Sequence, residues 1–349
     1  GEATVMAQLR LLLANDTSLL GHFGSALVVR RLVELAGDQD AHLQTGWGWD
    51  RVEAEAFAAG RWDGVIVNGE GSIHHDSATA RRVARLAVRL AEAGVPAYLV
   101  NASEEANGTE VRRGLASFRR CYVRDRASAD SLADAGIAAE VVPDLTLSWA
   151  GAPRWTGGGK RLYVTDASET KTSRRLFDLS QGHAGARFVS LRTTPPKAAD
   201  GRANRRRRGL VWKRLLARVL PPSPWAARYA DPFGSIESFA RAFAEDASGV
   251  VAGRYHGLCL ALRMRIPVLA VAGNTSKSGA LLADAGLSAR ETALDRLVAE
   301  GIPVPVPLYT AEEERRLDAL LTHAEHGAQA MMQTIAADIR AVGGSRVRT

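Results

Sequence analysis

The stretch from Ser248 to Lys277, SGVVAGRYHGLCLALRMRIPVLAVAGNTSK, admits few folds. Gly249–Ala252 is short and apolar, as a buried strand is, and Gly253 frees the backbone to turn at its end. Leu258–Met264 predicts a helix, Ile266-Pro267 ends it, and Val268–Val271 predicts a second buried strand. A strand, a helix and a strand in so little chain make a parallel crossover. Arg254, Tyr255 and His256 fall at the turn after the first strand. Open α/β sheets collect ligands at such strand ends, and the N-terminus of the following helix favours an anionic group. An Arg and a His two residues apart therefore predict an anion site with an acid or base beside it. The plainer alternative is an Arg paired with a carboxylate and a His that only starts a helix.

The same alternation runs through the rest of the chain. Its 349 residues exceed one ordinary α/β domain, so two are expected. Leu9–Ala14 predicts a strand and Ser25–Ala36 a helix. The loop between them runs from Asn15 and Asp16 to Gly24 and is polar, as ligand-cradling loops are, although the GxGxxG spacing is absent. Helix capping by Asn15 and Asp16 accounts for it equally well. Trp47 and Trp49 precede a helix at Arg51–Ala59 and suit either sugar stacking or a core. A buried strand then ends at Asn68, followed by Gly69-Glu70-Gly71-Ser72-Ile73-His74-His75-Asp76 and a helix at Ala78–Ala93. A carboxylate and two imidazoles at such a turn suit acceptor recognition or proton transfer. Neighbouring histidines in a turn point different ways and no further ligand spacing follows, so no metal is expected.

Strands at Pro96–Asn101 and Cys121–Arg124, with polar Glu104 just beyond the first, and the segment Val141–Leu147 complete a first doubly wound domain over residues 1–150. The Gly- and Pro-containing residues 151–160 read as a linker. Strands Arg161–Thr165 and Arg187–Leu191, the helix Ser235–Asp246 and the opening unit define a second such domain over 161–310. Residues 311–349 form a tail that is helical over Glu312–Val342.

The composition, 46% hydrophobic and 24% charged, is that of a globular protein, and no apolar run is long enough to span a membrane. The first residues lack the pattern of a signal peptide, and Cys121 and Cys259 sit in apolar surroundings, which points to buried thiols and a cytoplasmic location. The net charge of +7 is local: Arg202–Tyr229 holds nine Lys or Arg and no Asp or Glu, and without it the balance turns slightly acidic. No nucleic-acid motif accompanies it, so no nucleic-acid partner is expected. In this insertion, 202–229, Leu210, Val211, Trp212, Leu215 and Val219 alternate with Lys213, Arg214 and Arg218 before Pro221-Pro222. Such a mixture suits a helix lying on an anionic membrane surface, at the inner face of the cytoplasmic membrane; the alternative is a solvated loop.

Three stretches carry a resemblance. Arg254-x-His256-Gly257, the apolar helix, Ile-Pro before a strand and the later Lys277 resemble the C-terminal signature of the polysaccharide pyruvyl transferase family. The run Arg124, Ser128, Leu132, Gly136, Pro143, Asp144 is similar to that family's. At Gly69-Glu70-Gly71 the family usually has a glycine-rich turn, often of three glycines, so the carboxylate and the two histidines here are a departure. The resemblance implies two doubly wound Rossmann-like domains facing across a cleft, the GT-B-like arrangement, with the C-terminal helix crossing back onto the first domain.

It also implies a transferase of cell-surface polysaccharide biosynthesis. Phosphoenolpyruvate would be the co-substrate, with no further cofactor, and a glycan or lipid-linked saccharide the acceptor. Such a donor needs cations for a carboxylate and a phosphate and an acid for its methylene carbon. Arg254, His256, Lys277 and Asn274 are the donor-side candidates. Asn15, Asp16, Asn68, Glu70, His74, His75 and Glu104 are the acceptor-side ones, and His256, Glu70 and His74 the catalytic ones. Two alternatives stay open: a glycosyltransferase using a UDP-, GDP- or CMP-sugar on the same scaffold, and a non-catalytic membrane-surface glycan-binding module.

Overall fold

The computed structural model describes residues 7–58, 60–199, 201–230, 233–273 and 276–346. The first domain runs β1 (Leu9–Ala14), α1 (Phe23–Gly37), β2 (Ala41–Gln44), α2 (Trp49–Glu55), β3 (Gly64–Asn68), α3 (Ala78–Glu92), β4 (Ala97–Ala102), α4 (Thr109–Leu115), β5 (Arg120–Val123), α5 (Arg126–Asp134) and β6 (Ala139–Val141). The second runs β7 (Arg161–Thr165), α6 (Thr170–Gln181), β8 (Ala186–Val189), α7 (Gly201–Val219), α8 (Pro224–Tyr229), α9 (Ile236–Asp246), β9 (Ala247–Ala252), α10 (Tyr255–Met264), β10 (Val268–Val271), α11 (Lys277–Asp284), β11 (Glu291–Thr292) and α12 (Leu294–Glu300). A long C-terminal helix, α13 (Ala311–Arg346), follows.

Both sheets are parallel, in the orders β2-β1-β3-β4-β5-β6 and β8-β7-β9-β10-β11. This is the two-domain, doubly wound Rossmann-like architecture expected from the alternation. In each sheet the first strand lies between the second and the third, so the winding reverses beside it. A doubly wound sheet opens its ligand crevice at that reversal, outside the strands' carboxyl ends. Here the reversals are β1/β3 and β7/β9. Burial explains the strand sequences: β3 and β4 are buried at every position, as strands covered by helices on both faces must be.

The two domains pack directly. Phe23 N–H donates to Leu191 O at 2.8 Å, and Thr193 N–H to Gly21 O at 2.9 Å. Phe23, Leu27, Leu147 and Trp149 join the core of the second domain, with Tyr163, Phe239, Phe243 and Leu258. Helix α13 crosses back. Its Leu317, Leu320, Leu321 and Ala324 pack in that core, while Ala328, Met331, Met332, Ile335, Ala336 and Ile339 pack under the first sheet beside Leu11, Leu13 and Ile66. Arg119 and Tyr98 both donate to Asp338 near its end.

Three local readings change. Helix α10 starts at Tyr255, not at Leu258, because extended Arg254 is its N-cap; His256 and Gly257 therefore sit in its first turn. The segment 141–147 is not one strand. β6 stops at Val141, and Asp144 caps a 3-10 turn at Leu145–Ser148, its Oδ1 accepting from Thr146 N–H and Oγ1–H. Trp47 is a core residue edge-on to Trp62, which removes it from sugar stacking.

Truncating fully buried Ile335 to Ala should cost about 2–5 kcal/mol, because the cavity opens under the first sheet. Leu308→Ala, at a side chain 63% exposed, should stay within about 0.5 kcal/mol. Urea denaturation of both variants checks the pair.

Candidate functional site

The residues after β1, β3, β5, β7 and β9 converge where the two reversals meet. Glu70 is the centre on the first domain. Asn15, held at φ 58°, donates its Nδ2–H to Asn68 O at 2.6 Å and to Ser72 Oγ at 2.9 Å, which ties the loop after β1 to the turn after β3. Asn68 Nδ2–H donates to Thr17 Oγ1 at 2.9 Å, and Thr17 in turn donates to Glu70 Oε2 at 2.6 Å. Ser25 Oγ–H donates to Glu70 Oε1 at 2.6 Å. Gly69 is needed here because a Cβ would stand 2.4 Å from that of Ala102. Two hydroxyls thus fix the carboxylate in a buried position.

His256 reaches this carboxylate from the second domain. Its Nδ1 lies 3.7 Å from Glu70 Oε1 and its Nε2 3.4 Å from Asp144 Oδ2, so the imidazole stands between two carboxylates. Asp144 is fully buried and also takes the Arg124 Nη1–H at 2.9 Å. Burial opposes its ionisation, but the charges of His256 and Arg124 outweigh this and hold the carboxyl well below the usual range. Arg124 is held from its other side by Ser103 Oγ and lies 4.4 Å over the Tyr255 ring. The His256 ring packs against α1, where a Cβ on Gly24 would fall 2.2 Å from it. Only glycine fits there.

A group of cations lies beside His256. Arg254 Nε comes within 2.9 Å of Asp166 Oδ1, but off line, so the ion pair carries no hydrogen bond. Its Nη2 is buried without a hydrogen-bond partner among the described residues. Asp166 is already engaged by Ser190 Oγ–H and Leu191 N–H. Burial and the charges of Arg254 and Arg228 depress the Arg192 guanidinium from its ordinary value. Burial and Arg254 push His22 well below its ordinary value. Its Nδ1 accepts from Gly24 N–H at 3.1 Å and caps α1, so the neutral ring carries its proton on Nε2. Among the described residues Arg254 and Arg192 thus share Asp166, with Arg228 and the neutral ring of His22 close by.

The structure brings Glu70, His256 and Arg254 together, with Lys277 and His74 at the edge. Burial, together with Arg124, lowers Lys277 to about 8, against the pull of Glu105 and Glu70. His74 is half-buried, its Nε2 3.2 Å from Gly71 O, and burial followed by Lys277 lowers it. His75 is exposed, with its ring edge-on to that of His74. Asp16 is turned inward onto Ser18 and Gly46 N–H, and burial raises its pKa. Asn68 is wholly buried in the turn. Glu104 is not brought to the cluster: its Oε1 faces Asn107 and Arg112. Asn274 lies outside the described residues.

Sequence reasoning left Arg192, Arg228, Asp166, His22, Thr17 and Ser25 off the candidate set. The signal for Arg192 and Asp166 was their position at strand ends; for His22 it was its place before a helix. A cavity of about 590 Å³ lies farther along the seam, between α5, α11 and α13, and shares Arg124 with the cluster. The titratable groups gather at the strand ends rather than in it, and the chemistry is placed with them.

Fold and site together define a two-domain Rossmann-like protein with its titratable groups gathered at the domain seam. The polysaccharide pyruvyl transferase family model matches residues 41–275, and the chain belongs to that family, a family of transferases. The matched span includes Glu70, Arg124, Asp144, Arg192, Arg254 and His256, while the loop after β1 and Lys277 lie outside it. No curated protein matches the chain.

Asp144→Asn leaves the Arg124 charge buried and unpaired and should cost about 3–5 kcal/mol at neutral pH. A carboxyl depressed in the folded state stabilises above its unfolded value of about 3.9, and that contribution fades as pH falls through the lower folded value. The stability gap between wild type and variant should therefore narrow below about pH 4, as followed by denaturant titration across pH.

Proposed function

We propose that the protein transfers the pyruvyl group of phosphoenolpyruvate onto sugar hydroxyls of a glycan or lipid-linked glycan in cell-surface polysaccharide biosynthesis. The observation that carries this reading is that, among the described residues, cations outnumber anions around Arg254, beside an imidazole flanked by carboxylates. A donor with a carboxylate and a phosphate supplies the missing negative charge. Arg254 can grip an oxyanion pair in bidentate fashion, and its Nε and Nη2, without a hydrogen bond among the described residues, are the groups left to do so. Arg192, Arg228 and the His22 Nε2–H complete the cradle.

In the reaction, a sugar hydroxyl adds to C2 of the enol while C3 takes a proton and becomes a methyl group. His256 is the proton donor, its imidazole standing between Glu70 and Asp144 at the domain seam. Glu70, on the acceptor side, takes the proton of the attacking hydroxyl. The second hydroxyl then bonds to C2 and gives its proton back to His256, the C2–O bond breaks, and phosphate departs with the proton held by Glu70, so the ketal closes and both groups return to their starting states. Lys277 and the arginines offset the charge gathering on the departing phosphate.

Thermal-shift titration tests the donor. Phosphoenolpyruvate should raise the melting temperature, as any ligand of the folded state does, while UDP-, GDP- and CMP-sugars should not. Arg254→Ala should lower affinity about 10- to 100-fold, the value of one or two charge-assisted bonds. Stabilisation by a nucleotide sugar alone would overturn the donor assignment.

Lys277 gives this reading a pH signature. With its ammonium near 8, it is cationic below that pH and neutral above it. Phosphoenolpyruvate affinity should weaken as pH rises through about 8, and Lys277→Met should flatten that limb; calorimetry at several pH values measures both.

A further inference from the structure

Helix α7 carries an apolar face on its outer side as well as a buried one on its inner side, where a surface helix normally keeps its apolar residues inward. Leu210, Arg214 and Ala217, spaced i, i+4 and i+7, are buried against the protein. Trp212, Leu215, Leu216 and Val219, spaced i, i+3, i+4 and i+7, share the opposite face and are exposed, Trp212 to 67% and Val219 to 78%. Leu220 and Trp225 extend the exposed patch toward α8. Among the described residues, nothing buries these side chains.

The same outer stripe continues N-terminally as Arg205 and Arg208, with exposed Arg202, Arg206 and Lys213 on its flank. From 201 to 230 there is no Asp or Glu. The helix therefore presents arginine and then aromatic and aliphatic side chains along one line, both facing outward.

We propose that this face of α7 docks the protein on an anionic lipid surface. Charge and apolarity together select the occupant. The arginines need an array of negative charge, and Trp212, Leu215, Leu216 and Val219 need an apolar layer just beneath it, which the headgroup and acyl boundary provides. A second copy of the chain would set arginine against arginine, with no carboxylate in 201–230 to pair it. A nucleic acid would satisfy the arginines but leave the aliphatic half wet. The docking face is tied to the interior as well. On the helix's inner side Arg207 Nε–H donates to Pro195 O at 3.0 Å, Arg214 Nη1–H to Thr194 Oγ1 at 2.6 Å, and Asn204 exchanges two bonds with Ala198. That loop follows Arg192, so the lipid surface would lie on the side of the molecule where the cationic group opens. This placement does not depend on which donor the site takes.

Cosedimentation of the full chain with phosphatidylcholine vesicles, with and without phosphatidylglycerol, tests the proposal. Binding is expected only with phosphatidylglycerol and should fall as salt rises. Trp212→Ser with Leu216→Ser, and separately Arg205→Gln with Arg206→Gln and Arg208→Gln, should each weaken it at least about ten-fold, as loss of several interfacial groups implies. These side chains are exposed, so both variants should keep the wild-type melting temperature, and Leu308→Ser, exposed elsewhere, should bind as wild type does. Equal binding to neutral vesicles, no binding to anionic ones, or binding unchanged in both variants would overturn the proposal. So would concentration-dependent dimerisation, or retention of an RNA oligonucleotide, that these substitutions abolish while vesicle binding persists.

Discussion

A carboxylate with no exposure to solvent has to be ionised for this molecule to hold its shape. Asp144 accepts from Arg124, from Asn101 and from the backbone and hydroxyl of Thr146, and faces His256 across the domain seam. Burial of an unpaired charge is prohibitive, so each of these groups is constrained by the others. Arg124 fixes the end of β5, Thr146 fixes the 3-10 turn that leads out of the first domain, and His256 fixes α10 of the second. One ion thereby links three elements across two sheets that share no strand.

Topology does the rest. Because β1/β3 and β7/β9 are both winding reversals, both crevices open at carboxyl ends, and the domains meet with those ends turned toward each other. Glu70 and Arg254 come from the two sheets but occupy equivalent places, each just beyond the third strand of its own sheet. Glycine makes the approach possible: Gly24 admits the His256 ring and Gly253 turns beneath the Asp166 backbone, where a Cβ would stand 2.8 Å from its carbonyl oxygen.

The elements themselves were legible in the sequence. β1, β7 and β10 have the bounds their apolar runs predict, and α3 starts where predicted after Ser77. Those runs are buried apart from Arg10 and Arg161, so local hydrophobicity is the main signal. The site was legible only in part. Arg254, His256 and Glu70 announced themselves by their position after glycine-punctuated strands. Glu104 and Asp16 did so equally, yet their carboxylates turn inward, because burial and local hydrogen bonds outweigh any pull toward the seam. Arg192 and His22 lie far apart in the chain, and their bridge-forming neighbourhood exists only once the domains dock. Long-range electrostatics of that kind leaves no periodic trace.

At about 1.5 Å per residue, the 36 residues of α13 form a rod some 54 Å long, gripped near one end by the second core and near the other by the first. A rod held at both ends works as a strut. The two halves are not free to swing apart like the jaws of a hinge without pulling Leu321 or Ile335 out of its core. Any opening at the seam therefore falls to the short connections around it, while Glu70 and His256 stay in register.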